Sequence, residues 1–153
     1  MADKRIKIAK DKAKLVKDLK VSDDTTGPFQ TYVDVMVFAA ALGAKRKKRV
    51  PLAEFAKDLD PIRREYFDNN RYELAINLLA ISVTQDQKIL ADDEKSDEQR
   101  LKIFEEYANG GLEILQDELR GAVNYSERIL LILSSEREKQ QQHEDFDLSR
   151  FLT

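Results

Sequence analysis

The pattern of apolar and polar positions along the chain predicts helices over most of its length. Apolar residues recur at intervals of three and four, the period of an amphipathic helix, in six segments: 5–20, 31–42, 70–83, 96–108, 112–119 and 124–133. Hydrogen-bond acceptors followed three residues later by Asp, Glu or Gln open four of them, at Thr31, Asn70, Ser96 and Asn124. We therefore predict an all-α fold, a single compact bundle of about six helices.

The stretch between the second and third of these segments is ambiguous. Pro51 favours the start of a short helix that runs to Leu59 and that Asp60 and Pro61 end. Residues 62–67 suit either a helical turn or a short strand that pairs back on residues 49–52, and the pattern favours the turn. The predicted bundle therefore allows one short β-hairpin near residues 49–67.

Glycines and a change to polar sequence suggest where elements end. Gly43 is typical of the residue that follows a helix, and Asn109-Gly110-Gly111 is predicted to end another helix. The continuous apolar run 129–133 predicts a central core helix, whereas the sequence after Ser134 is polar and rich in Gln. We predict a helical domain over residues 1–135 and a polar helical extension or flexible tail over residues 136–153.

Composition fits a helical domain with a heavily charged surface. Of the 153 residues, 42% are hydrophobic and 36% are charged, the latter well above the usual share of about 25%. The absence of Cys excludes disulfides and thiol chemistry and agrees with a reducing compartment. The N-terminus lacks a signal-peptide core, and no apolar run approaches the ~20 residues that cross a bilayer. We expect a cytoplasmic protein that does not contact membranes.

Charge is distributed unevenly along the chain. Residues 1–49 hold 13 Lys and Arg against six Asp, a net charge of +7, whereas residues 50–153 hold 13 Lys and Arg against 23 acidic residues, a net charge of −10. A concentration of like charge suggests a polyanionic partner. The alternative is that the two parts of the chain attract each other within one fold.

The basic residues of the first third are the candidate nucleic-acid-binding site. They lie on the predicted first helix and in a block after the second, and the candidates are Lys7, Lys10, Lys14, Lys17, Lys45, Arg46, Lys47, Lys48 and Arg49. Phosphates favour such a surface because their neutralisation releases condensed counterions. No aromatic residue lies among these cations, so stacking on single-stranded bases is not expected.

A ribbon-helix-helix module is a sharper version of the same hypothesis. Residues 5–9 alternate polar and apolar side chains, as a strand does, and strands of some dimeric proteins enter the DNA major groove. The first helix would then begin near Lys10. One longer first helix, over residues 5–20, fits the periodicity better.

The sequence offers no catalytic or metal-binding constellation. Glu105, Glu106 and Glu113 have no candidate nucleophile nearby, and the single His143 lies in the polar tail. The acidic groups 92–94 and 97–98 lack the glycine and the spacing of a calcium loop, and a solvated loop explains them. We expect a protein that is not an enzyme and that needs no cofactor or metal.

Three strings carry a family resemblance: PFQTYVDVMVFAAALG (28–43), KKRVP (47–51) and FEEYANGGLEILQDEL (104–119), with residues 125–133 after the last. Over residues 1–133 the chain resembles the small accessory proteins of dnd-type DNA phosphorothioation systems, known as dnd system-associated protein 4. These systems replace a non-bridging phosphate oxygen of DNA with sulfur, and some are paired with restriction components. The resemblance implies a bacterial DNA-modification or defence setting and brings no catalytic residues with it.

The leading hypothesis is an accessory protein of such a modification and restriction system that binds the DNA backbone non-specifically through its basic N-terminal face. The alternative is a protein-interaction adaptor for a modification or restriction subunit, with a second anchor in the apolar tail residues Phe146, Leu148, Phe151 and Leu152. The sequence leaves open the oligomeric state and the choice between DNA and protein as the partner of the basic face.

Overall fold

Helices dominate both parts of the structure. The computed structural model describes residues 4–23 and 27–152, with side chains as far as Gln141. It divides into two compact units, Met1–Glu118 and Leu119–Thr153. The elements are β1 (Arg5–Ile6), α1 (Ala13–Leu19), α2 (Tyr32–Lys45), β2 (Ile62–Arg63), α3 (Arg64–Asn69), α4 (Glu73–Thr84), α5 (Glu94–Glu118) and α6 (Tyr125–Leu152), with 3-10 turns at Lys10–Lys12 and Gln87–Leu90. The predicted all-α class is confirmed.

Helix α5 is the central element of the first unit, and α2 packs along it. Gly43 and Gly111 bring the two backbones into direct contact, and Gly110 admits the backbone of the segment that follows α2. A Cβ atom on Gly111 would lie 1.7 Å from the carbonyl oxygen of Ala39 in α2, and one on Gly43 would lie 2.2 Å from the carbonyl oxygen of Tyr107 in α5. A Cβ atom on Gly110 would lie 2.0 Å from the carbonyl oxygen of Lys48. Only glycine permits such a close backbone approach.

The predicted helix end at Asn109-Gly110-Gly111 is therefore wrong, because α5 runs through these residues without a break. Gly43 likewise lies inside α2 and does not follow it. In sequence, a glycine that ends a helix looks the same as one that admits a neighbouring backbone. Tertiary packing overrides the local signal here and offsets the intrinsic cost of glycine in a helix.

The N-terminal segment is a strand followed by a short helix, so the predicted single helix over residues 5–20 is wrong. β1 pairs antiparallel with β2, with Arg5 opposite Arg63 and Ile6 opposite Ile62. Ile6 and Ile8 are buried while Lys7 between them is exposed, which is the period-two pattern of a strand. The ribbon-helix-helix hypothesis placed the extended residues and the helix start near Lys10 correctly. However, this strand pairs within its own chain.

The segment 50–61 contains no helix, so the short helix expected after Pro51 is wrong. The segment instead runs beside the N-terminus, where the Lys10 amide donates to the Glu54 carbonyl at 2.9 Å and the Ala56 amide donates to the Ile8 carbonyl at 2.8 Å. The predicted β-hairpin region does contain one strand, β2, but its partner is β1.

Helix starts followed the local rules where a side-chain cap is present. Thr31 accepts a hydrogen bond from the Asp34 amide at 3.1 Å, and Asn124 accepts one from the Glu127 amide at 3.1 Å, as predicted. The cap of α5 differs from the prediction, because Asp93 accepts the Ser96 amide at 2.8 Å and the helix begins before Ser96.

The second unit contains α6, which runs from Tyr125 to Leu152. Its apolar run 129–133 is only partly buried. Ile129 and Ile132 are each 5% exposed, whereas Leu130, Leu131 and Leu133 are 63%, 60% and 47% exposed. The expectation of a central core helix at this point is therefore wrong, and α5 has that role in the first unit. The predicted boundary between residues 135 and 136 stays a prediction.

The contact between α2 and α5 predicts the effect of adding one methyl group to it. Gly111→Ala is expected to destabilise the protein by about 1–3 kcal/mol or more, because the new Cβ atom overlaps the α2 backbone. In an unconstrained helix the same change would stabilise by about 0.5–1 kcal/mol. Urea unfolding measures the difference, with the exposed Lys102→Ala in the same helix as the control. A Gly111→Ala protein as stable as the control would contradict the close contact.

Candidate functional site

The nine candidate cations form two groups in the first unit. Four lie along the N-terminal segment and α1, and five lie at the end of α2 and directly after it. The first group is Lys7, Lys10, Lys14 and Lys17, and the second is Lys45, Arg46, Lys47, Lys48 and Arg49. The two groups contact different acidic segments of the chain.

The extended segment 50–61 supplies partners for the first group. Lys10 Nζ lies 3.4 Å from Glu54 Oε2, and Lys17 forms an ion pair with Asp58. The hydrogen bond from Lys17 is the main cause that lowers the pKa of Asp58 below its ordinary value. All four side chains are substantially exposed, so solvent screens both pairs and each contributes little to stability.

Lys7 and Lys14 differ from these two lysines. Lys7 Nζ lies 4.4 Å from the centre of the exposed Phe55 ring, a cation–π contact. Lys14 is exposed and has no ion-pair partner among the described residues. Within the first group, Lys7 and Lys14 are thus the exposed cations without an ion-pair partner among the described residues.

Carboxylates of α5 meet three cations of the second group. The pairs are Arg46 with Glu118, Lys48 Nζ with Glu113 Oε1 at 3.8 Å, and Arg49 Nη2 with Glu106 Oε1 at 2.7 Å. Arg49 Nε donates to the same Glu106 oxygen at 2.8 Å. Lys45 and Lys47 are exposed and have no ion-pair partner in the described part of the chain. The acidic part of the chain therefore neutralises five of the nine candidates.

The carboxylates Glu105 and Glu106, considered above for acid–base chemistry, have different partners. Glu106 is buried against Arg49, and Glu105 accepts the Lys7 amide at 2.8 Å. Burial is the main cause that raises the pKa of Glu105 above its ordinary value. Each carboxylate has a structural contact of its own.

The predicted anchor residues Phe146, Leu148, Phe151 and Leu152 belong to the last turns of α6. Their side chains lie outside the described residues. Their role as a partner-binding site stays a prediction.

A second charged site, which the sequence did not indicate, surrounds Asp97. Its carboxylate is 5% exposed and meets three cations, two of which come from distant parts of the chain. Lys4 Nζ lies 2.8 Å from Oδ2, Arg100 Nη2 lies 3.0 Å from Oδ1, and the Arg64 guanidinium contacts Oδ1 as well. Asp97 was expected to be solvated, in a loop that leads into a helix, and this expectation is wrong because its carboxylate is buried within α5 against these cations.

Arg100 connects the same site to the backbone. Its guanidinium donates to the carbonyl oxygens of Ile89 at 2.6 Å and of Ala91 at 3.0 Å. The three cations and the carboxylate form the floor of an open cleft of about 990 Å³. No local motif could have revealed it, because Lys4 and Arg64 are far from Asp97 in sequence.

The described residues show neither a metal site nor a membrane-spanning helix. They contain no group of three or more His, Asp or Glu side chains that could hold a metal ion. In the same residues, no helix combines the length and the apolar character that a membrane crossing requires.

Comparison with known protein families identifies the family of the chain, which the geometry alone does not. The family model described as DNA sulphur modification system-associated protein 4 matches residues 5–151, almost the whole chain. The chain belongs to this family. The resemblance found in the sequence is thereby confirmed, and the match also includes the tail after residue 133, which the resemblance had left out. Searches of curated proteins and of solved structures found no match.

Membership of the DNA sulphur modification system-associated protein 4 family establishes an accessory role in a DNA sulphur modification system. It identifies neither a partner nor a binding residue. The arrangement of charged and apolar side chains is therefore the basis for any finer statement.

The burial of Asp97 predicts that its substitution destabilises the protein much more than substitution of the nearby exposed Asp92. Asp97→Asn is expected to destabilise the protein by about 3–5 kcal/mol, because it leaves Lys4, Arg64 and Arg100 around an uncharged group. The exposed Asp92→Asn should change stability by no more than about 0.5 kcal/mol. Urea unfolding of both variants provides the test, and equal stabilities would contradict a structural role for Asp97.

Proposed function

We propose that the protein is a non-enzymatic adaptor that binds a protein subunit of a DNA sulphur modification system through α6. The observation that carries this proposal is the leucine surface, which consists of Leu130, Leu131 and Leu133. These three side chains lie within two turns of one helix, and each is between 47% and 63% exposed.

The leucine surface is an exposed apolar face of α6, the kind of surface that a partner protein covers. A helix that is apolar all round is normally buried on every side. Here Ile129 and Ile132 are buried and the intervening leucines are not. Covering a leucine side chain stabilises an assembly by up to about 1.5–3 kcal/mol. A groove on another protein that receives this face of α6 is a common mode of helix recognition.

The exposed apolar face is confined to a short part of α6. Residues 134–141 are Ser, Glu, Arg, Lys and Gln and are mostly exposed. The predicted anchor residues Phe146, Leu148, Phe151 and Leu152 follow farther along the same helix. The proposal therefore places contacts on α6 and extends the anchor predicted from the sequence toward its N-terminal end.

The ion pairs of the basic residues support an adaptor over a DNA-binding protein. A protein that neutralises Z phosphates shows a slope of about −0.9Z in a plot of log affinity against log salt. Nine free cations would give a slope of about −8, whereas the four without an ion pair, Lys7, Lys14, Lys45 and Lys47, would give about −3.6. The carboxylates beside the remaining cations would also repel the DNA backbone.

Binding of the DNA backbone is the second candidate function. It is favoured by Lys45 and Lys47, which are exposed and lie two residues apart at the end of α2. The ion pairs of Lys10 and Lys17 are exposed and individually weak, so phosphates can compete with Glu54 and Asp58 for these lysines.

Two matched variants separate these functions. In one, Leu130, Leu131 and Leu133 are changed to Gln; in the other, Lys14, Lys45 and Lys47 are changed to Gln. Co-expression with the modification subunits, followed by co-purification, measures subunit binding, and titration of labelled duplex DNA at about 50 mM salt, where phosphate contacts are strong, measures DNA binding. The adaptor proposal predicts that the leucine variant loses its subunit while the lysine variant keeps it.

The opposite pattern contradicts the adaptor proposal. If the leucine variant retains the subunit and the lysine variant loses binding of DNA, backbone binding is the better description. Circular dichroism of both variants serves as the folding control, since all six positions are exposed and Gln is a good helix former.

A further inference from the structure

The cleft above Asp97 has a neutralised floor and an acidic rim. On the floor, Lys4, Arg64 and Arg100 are directed at the one carboxylate of Asp97. Arg100 is buried, and Lys4 and Arg64 are partly buried. The charges that face solvent are therefore mainly those of the rim.

Six exposed carboxylates line the rim, and two cations, the exposed Arg63 and the partly exposed Arg5, lie beside them. The acidic rim comprises Glu65, Asp68, Glu73, Asp92, Asp93 and Glu94. An excess of one sign of charge around a cleft attracts ligands of the opposite sign. The rim thus favours a cationic partner and disfavours nucleic acid.

Several rim carboxylates have structural contacts and others do not. Asp93 caps α5, and Arg64 lies 3.7 Å from Asp68 and 4.0 Å from Glu73. Glu65, Asp92 and Glu94 are exposed and have no ion-pair partner within the described ranges. These three are the groups available to lysines or arginines of a partner.

Two exposed leucines lie on α4, the helix that begins at the rim residue Glu73. Leu74 and Leu78 follow one turn apart on its outer side. They are 65% and 57% exposed, whereas Ile76 and Ala80 on the inner side are fully buried. Leucines at i and i+4 on an outer helix face are typical contacts for another helix.

We propose that the acidic rim and the leucine pair Leu74–Leu78 together form a docking surface for a basic amphipathic helix of a partner protein. The apolar face of that helix covers the two leucines, and its lysines or arginines reach Glu65, Asp92 and Glu94. This surface is separate from the leucine surface of α6. It does not require the adaptor proposal to be correct, and it would give an adaptor a second partner.

Charge complementarity selects this occupant. A neutral apolar helix would cover the leucines but leave the rim carboxylates without partners. A second copy of the chain would need to offer a free basic helix. The candidate basic residues of this chain are largely paired with carboxylates of their own chain, with Glu54, Asp58, Glu106, Glu113 and Glu118.

A model peptide tests the proposal with the full chain. The probe is a labelled 14-residue helix of leucine and lysine with leucines on one face, and its control is the same peptide with glutamate in place of lysine. Fluorescence anisotropy in about 150 mM salt, where free charges are partly screened, gives the two dissociation constants. The lysine peptide should bind at least tenfold more tightly than the glutamate peptide.

Three variants locate the binding site of the peptide. The double variant Leu74→Gln, Leu78→Gln keeps the charge of the protein, and it should weaken binding at least tenfold. The triple variant Glu65→Gln, Asp92→Asn, Glu94→Gln should weaken it similarly. The α6 variant with Gln at positions 130, 131 and 133 should bind the peptide as the unchanged protein does, so that failure here and failure of the adaptor proposal are distinguishable.

Two outcomes overturn the proposal. In one, the leucine double variant binds the lysine peptide as tightly as the unchanged protein. The peptide would then be attracted by the net charge of the protein, and the leucines would not contribute to binding. In the other, analytical ultracentrifugation shows that the chain forms a dimer that the leucine double variant abolishes, which would make a second copy the occupant of this surface.

Discussion

The direct backbone contact between α2 and α5 determines where the charged residues of the first unit lie. Gly43 of α2 and Gly110 and Gly111 of α5 leave no room for a Cβ atom at the crossing. The chain that leaves α2 is then held against α5. The Lys48 amide donates to the Gly43 carbonyl at 2.8 Å, and the Val50 amide donates to the Glu106 carbonyl at 3.1 Å. The basic block that follows α2 therefore runs beside the carboxylates of α5.

This placement explains the uneven distribution of charge along the chain. The basic first third and the acidic remainder come together in ion pairs such as Arg49–Glu106 and Lys17–Asp58. Asp97 is a further case of such pairing. Its carboxylate is buried, and leaving a buried charge without partners costs more than leaving an exposed one. Most of the candidate basic residues are thus paired with carboxylates of the same chain in the folded protein. The exposed leucines and the acidic rim are the surfaces that we propose for partners.

Sequence reasoning succeeded where the deciding interactions are local. The caps at Thr31 and Asn124 bond residues three positions away, and both were predicted. It failed at Gly110 and Gly111, because these glycines contact backbone at Lys48 and Ala39, which lie 62 and 72 residues earlier in the chain. The strand at Arg5 and Ile6 depends on pairing with Arg63 and Ile62, which a helical period in the neighbouring residues concealed.

The candidate site shows the same difference between local features, which the sequence predicted, and long-range contacts, which it did not. The sequence identified the cations, and their free or paired state depends on carboxylates 41 or more residues away, such as Asp58 for Lys17 and Glu118 for Arg46. Asp97 was taken for a solvated residue because its neighbours in sequence are acidic and polar. Its burial follows from the position of Lys4, Arg64 and Arg100, which only the fold brings together.

The central claim is that the carboxylates of α5 bind the basic block after α2, and a double-mutant cycle on Arg49 and Glu106 tests it most directly. Two nitrogens of the Arg49 guanidinium contact one oxygen of a carboxylate that is only 10% exposed. Urea unfolding of Arg49→Gln, of Glu106→Gln and of the double variant gives the coupling free energy. A favourable coupling of about 0.5–3 kcal/mol is predicted. Additive effects of the two substitutions would show that the basic block is not held by α5, and its cations would then be available to a polyanion.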